Sequence, residues 1–447
     1  MKYLKDVAGL MTKNQLTAVL LLSILRLTQA QTTASEADDL SFIEQLKAPQ
    51  KNQQAAAPVS DWQAQLRYSY RRLNQQLGSF SQNQNAQQLA GEFNYQANWN
   101  PALRAQASAT LLLTHPTQAE RTSAQLVLKD AYLNWQSSAS GPTELGLIAP
   151  RYGLAYGYNP NEVYRYYDER SANSADPQEL REARGGVLAM RKKWFTSAAD
   201  WDLLLLPRWH ASQNQAGILR YPGRNAYRQI QLSVAPHLQN QESSLNANYL
   251  LRWQHAQDYA VGANLSALLS EASVWHLEVN LAKTRPACAE FLEFNPDLFI
   301  NCEGQAKARL SLAMGANYSF NNKLTVLAEW HYDSQAPDRP DWQNWSQRTA
   351  LNRSYFYEWL GKQQLLSSQH RVLLHARWDE IQPRWDVSAY LLHAPDSAQQ
   401  NYWLQIKYRA RQSDYSLQFL KTRGLDWNGA GPALKSAQWQ FNWRWYL

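Results

Sequence analysis

The chain has 447 residues, room for two or three soluble domains or one large barrel, and its mean hydropathy is -0.57. No apolar run near twenty residues follows the N-terminal region, which excludes a bundle of membrane-spanning helices. Formal charge is +7, but residues 1–30 hold four cations (Lys2, Lys5, Lys13, Arg26) against Asp6, so the remainder is +4 and points to no nucleic-acid partner.

Residues 1–30 read as an export signal. Lys2, Lys5 and Lys13 precede an apolar stretch at 16–25, and Thr28-Gln29-Ala30 offers small residues for cleavage. A retained anchor helix is the alternative. Residues 31–60 are polar and rich in Gln and Ala, a periplasmic linker with one short helix at most.

The rest, residues 61–447, alternates. Trp62, Ala64, Leu66, Tyr68 and Tyr70 interleave with Gln63, Gln65, Arg67, Ser69 and Arg71. The same period returns at 88–99, 103–113, 245–253, 259–269, 307–320, 324–332 and 402–410. The chain closes with Trp439, Phe441, Trp443, Trp445 and Leu447 against Gln438, Gln440, Asn442 and Arg444. These segments are longer than the five or six residues usual in soluble strands and match the roughly ten that a tilted strand needs to cross a bilayer. About eighteen can be counted, sixteen being the alternative. The segments 122–136, 185–195 and 199–210 alternate poorly, and Lys129, Arg191 and Lys193 are their awkward residues.

Connections give a separate test. Counted from the first strand, the even-numbered ones are short: 98–101, 137–142, 196–200, 239–243, 271–273, 321–323, 379–383 and 411–414. The odd-numbered ones include every long insert: 158–184, 211–226, 286–303, 333–365 and 424–434. Sorting of this kind is what an outer-membrane barrel shows, with short periplasmic turns and long extracellular loops. Trp (19) and Tyr (24) far outnumber Phe (11), as suits rings placed where apolar and wet regions meet. The expected fold is all-β: a closed transmembrane antiparallel barrel, which alone leaves no unpaired sheet edge in hydrocarbon. Cys288 and Cys302 enclose a segment without strand pattern, and in an exported protein they are expected to form a loop-closing disulfide.

With the apolar rows facing lipid, the polar rows face a lumen. They carry Arg67, Arg71, Arg104, Arg252, Lys307, Arg309, Arg371, Arg377, Arg384, Lys407, Arg409 and Arg444. Fewer carboxylates oppose them: Glu92, Asp130, Glu278, Glu329 and Asp386. Two readings stay open: a basic lumen that favours anions, or cations and carboxylates that pair across the lumen and stiffen it.

Two stretches carry a resemblance. LKDAYLNW at 128–135 followed by ELGLIAPRYGLAYGYNPNEVYR at 144–165 is similar to a strand pair of porin-like barrels, including alginate-export-type porins. The resemblance implies that Asp130 and Tyr132 face the lumen. It also implies that the loop 158–184 folds inward as a constriction lined by Arg165, Asp168, Glu169 and Arg170, the alternative being a solvated surface loop. The aromatic last strand resembles the C-terminal signal read by the barrel-insertion machinery. Those signals usually end in Phe, and this one ends in Tyr446-Leu447.

No Gly-rich phosphate loop, GxSxG elbow or HExxH is present. The nine His are scattered; His276, His331 and His375 fall on polar rows and read as lumenal packing. No catalytic residue, metal or cofactor is expected, and the chain is not expected to be an enzyme. The expected role is an outer-membrane channel in a Gram-negative bacterium, passing small or anionic solutes passively through a basic lumen. The alternative is an export conduit for an anionic polysaccharide or lipid-like cargo, working with an inner-membrane machine. Expected partners are outer-membrane lipid and the insertion machinery, with a homo-oligomer or a periplasmic export partner as further options.

Overall fold

The structure is a computed structural model. It describes residues 59–77, 80–116, 123–136, 141–162, 175–182, 185–208, 219–220, 228–237, 245–254, 258–294, 305–347, 349–362, 365–424 and 434–446. The expected export signal and nearly all of the expected linker lie outside them.

Eighteen long strands form one closed antiparallel sheet. They are β1 (Val59–Leu77), β2 (Phe80–Asn100), β3 (Leu103–Pro116), β4 (Ser123–Trp135), β5 (Thr143–Ile148) and β6 (Val187–Phe195). Next come β7 (Ala199–Leu206), β8 (Gln229–Pro236), β9 (Asn246–Gln254), β10 (Asp258–Ser270), β11 (Ser273–Thr284) and β12 (Lys307–Ser319). The circle is completed by β13 (Leu324–Asp333), β14 (His370–Gln382), β15 (Trp385–Ala394), β16 (Gln399–Arg409), β17 (Ser413–Gly424) and β18 (Leu434–Tyr446). Each strand pairs with the next, and β18 returns to β1, with Tyr68 opposite Trp443 and Tyr70 opposite Phe441. A two-residue strand, Leu219–Arg220, lies parallel to β4 as an appendage.

The outward rows are apolar and exposed. Leu251, Val261, Leu374, Leu404 and Leu417 lie along the wall. Trp99, Trp135, Trp201, Trp385, Trp443 and Trp445 gather at the short-turn end, and Trp253, Tyr259 and Tyr402 near the other. An apolar band between two aromatic girdles is the outer surface of a transmembrane barrel. Inward, Ser69, Thr110, Asn264, Gln405, Gln418, Gln440 and Asn442 are buried polar residues. Gln438 donates to Gln440, Gln440 to Asn442 and Asn442 to Ser416, a relay of amides along the inner face of β18.

The three poorly alternating segments have distinct physical causes. In β4 the register slips, so Ser108 faces Asp130 while Ala109 faces Leu128, and Lys129 is the extra residue of a β-bulge. Lys129 and Asp130 therefore both turn inward, and the freed Lys129 carbonyl accepts from the Gly186 N–H at 2.5 Å. In β6, Arg191 and Lys193 belong to the inward row with Val187 and Ala189, while Lys192 on the outward row reaches back to the Gly141 carbonyl at 2.8 Å. In β7 the inward row turns apolar partway along: Asp202 bonds Arg191, but Leu204 and Leu206 face an apolar cluster inside the barrel, while Trp201 faces lipid.

Two long connections meet beyond the strand ends. Helices α2 (Ala287–Phe294), α3 (Arg339–Ser346) and α4 (Ala350–Lys362) enclose a core of Phe291, Trp342, Trp345, Phe356 and Leu360. Trp345 stacks on Phe356 with ring centres 4.4 Å apart, and Asp338 and Asp341 form a reciprocal cap at the start of α3. Cys288 is buried beside this core in α2; the expected partner Cys302 lies outside the described residues.

Candidate functional site

After β5 the chain enters the barrel instead of leaving it. Residues 149–162, reading APRYGLAYGYNPNE, run along the inner wall and bond to it mainly through their own backbone. The amides of Leu154 and Ala155 both donate to Glu278 Oε1 of β11, the second at 2.6 Å. The amides of Tyr156 and Gly157 donate to Glu329 Oε1 and Oε2 of β13 at 2.7 and 2.8 Å. Four successive N–H groups are thus paired off against two carboxylates on nearby strands. Bonds between N–H and an ionised carboxylate are about twice as strong as neutral ones.

Glu329 is 2% exposed and has further donors. His276 Nε2 lies 3.1 Å from Oε1, and His331 Nε2 lies 2.9 Å from Oε2. Arg371 Nε donates to His331 Nδ1 at 3.2 Å, which leaves the ring proton on Nε2, pointing at Glu329. The same guanidinium donates from its NH2 group to the Gly157 carbonyl at 2.5 Å and lies over the Tyr158 ring, 5.9 Å from its centre. Tyr158 donates its hydroxyl to Asp333 at 2.8 Å.

The ends of the segment are fixed by amides. Asn161 Nδ2 donates to Asn264 Oδ1 and to the carbonyls of Ala263 and Val279. Asn264 in turn donates to the Tyr152 carbonyl. Inside the bend, Asn159 donates to the Ala155 carbonyl at 2.7 Å. Two glycines permit the close approach. A Cβ on Gly157 would sit 2.6 Å from His331 Cε1, and one on Gly262 would sit 2.2 Å from Asn161 Oδ1. Ile148 and Tyr152 pack on Val187, Ala189, Leu204, Leu206 and Leu250, so part of the inner wall is apolar because this segment covers it.

The described inward stretch, 149–162, begins before the expected 158–184 and overlaps it at 158–162, while Arg165, Asp168, Glu169 and Arg170 lie outside the described residues. Further along the same connection, helix α1 (Pro177–Glu182) places Glu179 against Arg444 of β18 at 3.0 Å, so this part is also inside.

The inward cations divide into groups. Arg67 pairs with Glu92 at 3.4 Å, and Glu92 also holds Lys129 at 3.4 Å and Gln65 at 2.5 Å. Arg409 pairs with Asp386 at 2.7 Å, Arg377 with Asp379 at 2.9 Å and Arg444 with Glu179. Arg191, absent from the set drawn from the sequence, bonds both oxygens of Asp202 and lies 3.6 Å from Glu144. Arg371 serves the inward segment, while Arg309 donates to the carbonyls of Thr284 and Ser334. Arg71, Arg104, Arg252 and Lys407 stand on inward rows, and Lys307 is exposed at the first residue of β12. Arg384 is a correction: it is an exposed turn residue between β14 and β15 with φ of 72°, not part of the lumen wall. Its strand ends before the alternation that had suggested an inward position can continue.

Asp130 and Tyr132 face the lumen, and Tyr132 donates to Gln106 at 2.9 Å. Glu278 and Glu329 stood among the lumenal carboxylates in the sequence; their bonding to backbone N–H groups did not, since such donors leave no side-chain signature. The glycine-rich run YGLAYGYN was the available sign. Among the described residues no cluster of His, Cys, Asp and Glu could hold a metal ion.

No protein-family model matches the chain, and no characterised protein matches it in sequence. Solved structures do resemble it. Acinetobacter baumannii OccAB1 superposes with a TM-score of 0.53 at 9% identity, over 87% of this chain and 96% of that one. Pseudomonas aeruginosa OpdQ gives 0.52 at 7% identity, over 87% and 97%. OccK5 (OpdH) of the same organism gives 0.51 at 10% identity, over 87% and 98%. At such identities the likeness is one of fold, and the fold is that of a porin-like Gram-negative outer-membrane β-barrel.

Proposed function

We propose that the chain is an outer-membrane channel through which small solutes pass passively, with residues 149–162 as its constriction. The observation that carries the reading is the attachment of four consecutive backbone N–H groups to Glu278 and Glu329 inside a polar-lined barrel. A segment held this firmly narrows the lumen without filling it by collapse. Passage down a gradient calls for no catalytic group and no cofactor.

The finer part of the proposal is a mild preference for anions. Four of the inward cations, Arg67, Arg377, Arg409 and Arg444, are paired with carboxylates and stiffen the wall. Arg71, Arg104 and Lys407 form no ion pair among the described residues, and these supply the positive field. Purified protein in a planar bilayer under a salt gradient tests both parts. Discrete conductance steps with a reversal potential on the anion side are expected. A clear cation preference defeats the finer reading, and silence in every bilayer defeats the channel.

A further inference from the structure

Not every arginine and lysine of the wall faces inward. On β1 the inward row is Arg67, Ser69 and Arg71, so Arg72 falls on the outward row with Tyr68 and Tyr70, and it is exposed. On β17 the outward row runs Tyr415, Leu417, Phe419, Lys421, Arg423, and Arg423 is exposed. The two strands flank β18, and the register sets the rows side by side. Phe419, Trp439 and Arg72 form one level; Lys421, Ala437 and Asn74 form the next; Arg423, Lys435 and Gln76 form the last. All three levels lie toward the long-loop end, because β17 runs on to Gly424 and β1 to Leu77 before those connections begin.

Arg72, Lys421 and Arg423 thus stand on a face otherwise given to lipid, and none of these three forms an ion pair among the described residues. On β9–β12 the outward positions at the same end are Trp253, Tyr259, Leu281, Lys283 and Leu310. A charged side chain on the lipid face is costly at the midplane and tolerable only where it reaches polar headgroups. Below Lys421 and Arg423, and level with Arg72, the Phe419 and Trp439 rings meet with centres 4.6 Å apart and planes tilted by 42°, an apolar base, and Ala437 leaves a dent between Lys421 and Asn74. The arrangement has the order of a lipid: charge at headgroup level, apolar surface beneath.

We propose that the outward face of β17, β18 and β1 is a binding site for a phosphate-bearing lipid. Arg72, Lys421 and Arg423 hold the headgroup phosphate, and Phe419 and Trp439 pack on the acyl chain. Arginine and lysine both bind phosphate, arginine through its two-pronged fork. The proposal rests on the barrel being embedded in a membrane but not on what passes through it, since these side chains lie outside the lumen.

The test is native mass spectrometry of the full chain in detergent with bis-phosphorylated lipid A, its dephosphorylated form, or inorganic phosphate as competitor. Wild type is expected to retain the phosphorylated lipid, and Arg72→Gln/Lys421→Gln/Arg423→Gln to retain it on the order of a hundredfold less. Lys421→Gln/Arg423→Gln serves as a milder variant, and resistance of the barrel to unfolding by detergent confirms that each is folded. Equal retention by the variants, equal retention of the dephosphorylated lipid, or displacement of the lipid by millimolar phosphate each overturns the proposal. Bilayer conductance of the triple variant is expected to equal wild type, so failure of the lipid site and failure of the channel are read separately. A wild type that stays in solution without detergent fails the membrane reading itself.

Discussion

The two halves of the barrel obey one alternation rule and use it differently. Along β16–β18 and β1–β3 the inner rows are largely polar, as with Gln405, Gln418, Gln440, Asn442, Ser69 and Thr110, with Ala90 and Leu112 as apolar exceptions packed on Val127. Along β5–β9 the inner rows include Val187, Ala189, Leu204, Leu206 and Leu250, because the inward segment lies on them. Farther round, β11 and β13 bury Glu278 and Glu329 under the same segment. The lesson is that period two reports the contrast between the two sides of a strand. It weakens where both sides meet apolar surroundings, and it hides a carboxylate whose partner is backbone.

The comparison can be broken first at the covered half. Glu329→Ala strips the acceptor from His276, His331 and two backbone amides, and is expected to cost about 3–5 kcal/mol, the range for removing one partner of a buried charged pair. Unfolding in detergent measures it, and a loss under ~1 kcal/mol would show that the anchoring carries little of the stability. Next is the lipid face. Leu251→Arg should lower barrel stability by about 2–4 kcal/mol, because Leu251 stands on the outward row, 53% exposed. An unchanged barrel in lipid vesicles would place that row elsewhere. Gly157→Ala follows, at roughly 1–3 kcal/mol, since the new methyl meets His331 and Leu373. Here a neutral result would mean that the segment stands off the wall. The smallest effect belongs to the polar half: Arg71→Glu/Arg104→Glu should halve the anion-to-cation ratio or so, consistent with ~0.5 kcal/mol from solvated charges. Reversal potentials under a salt gradient report it, and a shift toward anions would contradict the assignment.

Much of this was legible from residue types alone. The aromatic rows of the last strand, Trp439 to Trp445, face outward, and the short and long connections sort to opposite ends as read. Lys129 was marked as awkward for a sound reason, yet a bulge cannot be placed from one strand, because it is a relation between two. The inner leucines 204 and 206 obscured the pattern of β7 because their partners come from a loop some fifty residues earlier. Arg384 was misplaced because alternation was carried one step past a turn. The constriction was sought in charged side chains at 165–170, whereas the contacts to Glu278 and Glu329 use the amides of residues 154–157, which any sequence possesses.

The most direct measurement is the single-channel conductance of Glu278→Gln/Glu329→Gln beside wild type in the same bilayer. Each glutamine keeps the size of the side chain but replaces an accepting oxygen with an NH2 group that opposes the segment's N–H donors. The account predicts a larger and noisier conductance as residues 149–162 leave the wall. Identical traces would show that this segment does not set the width of the lumen.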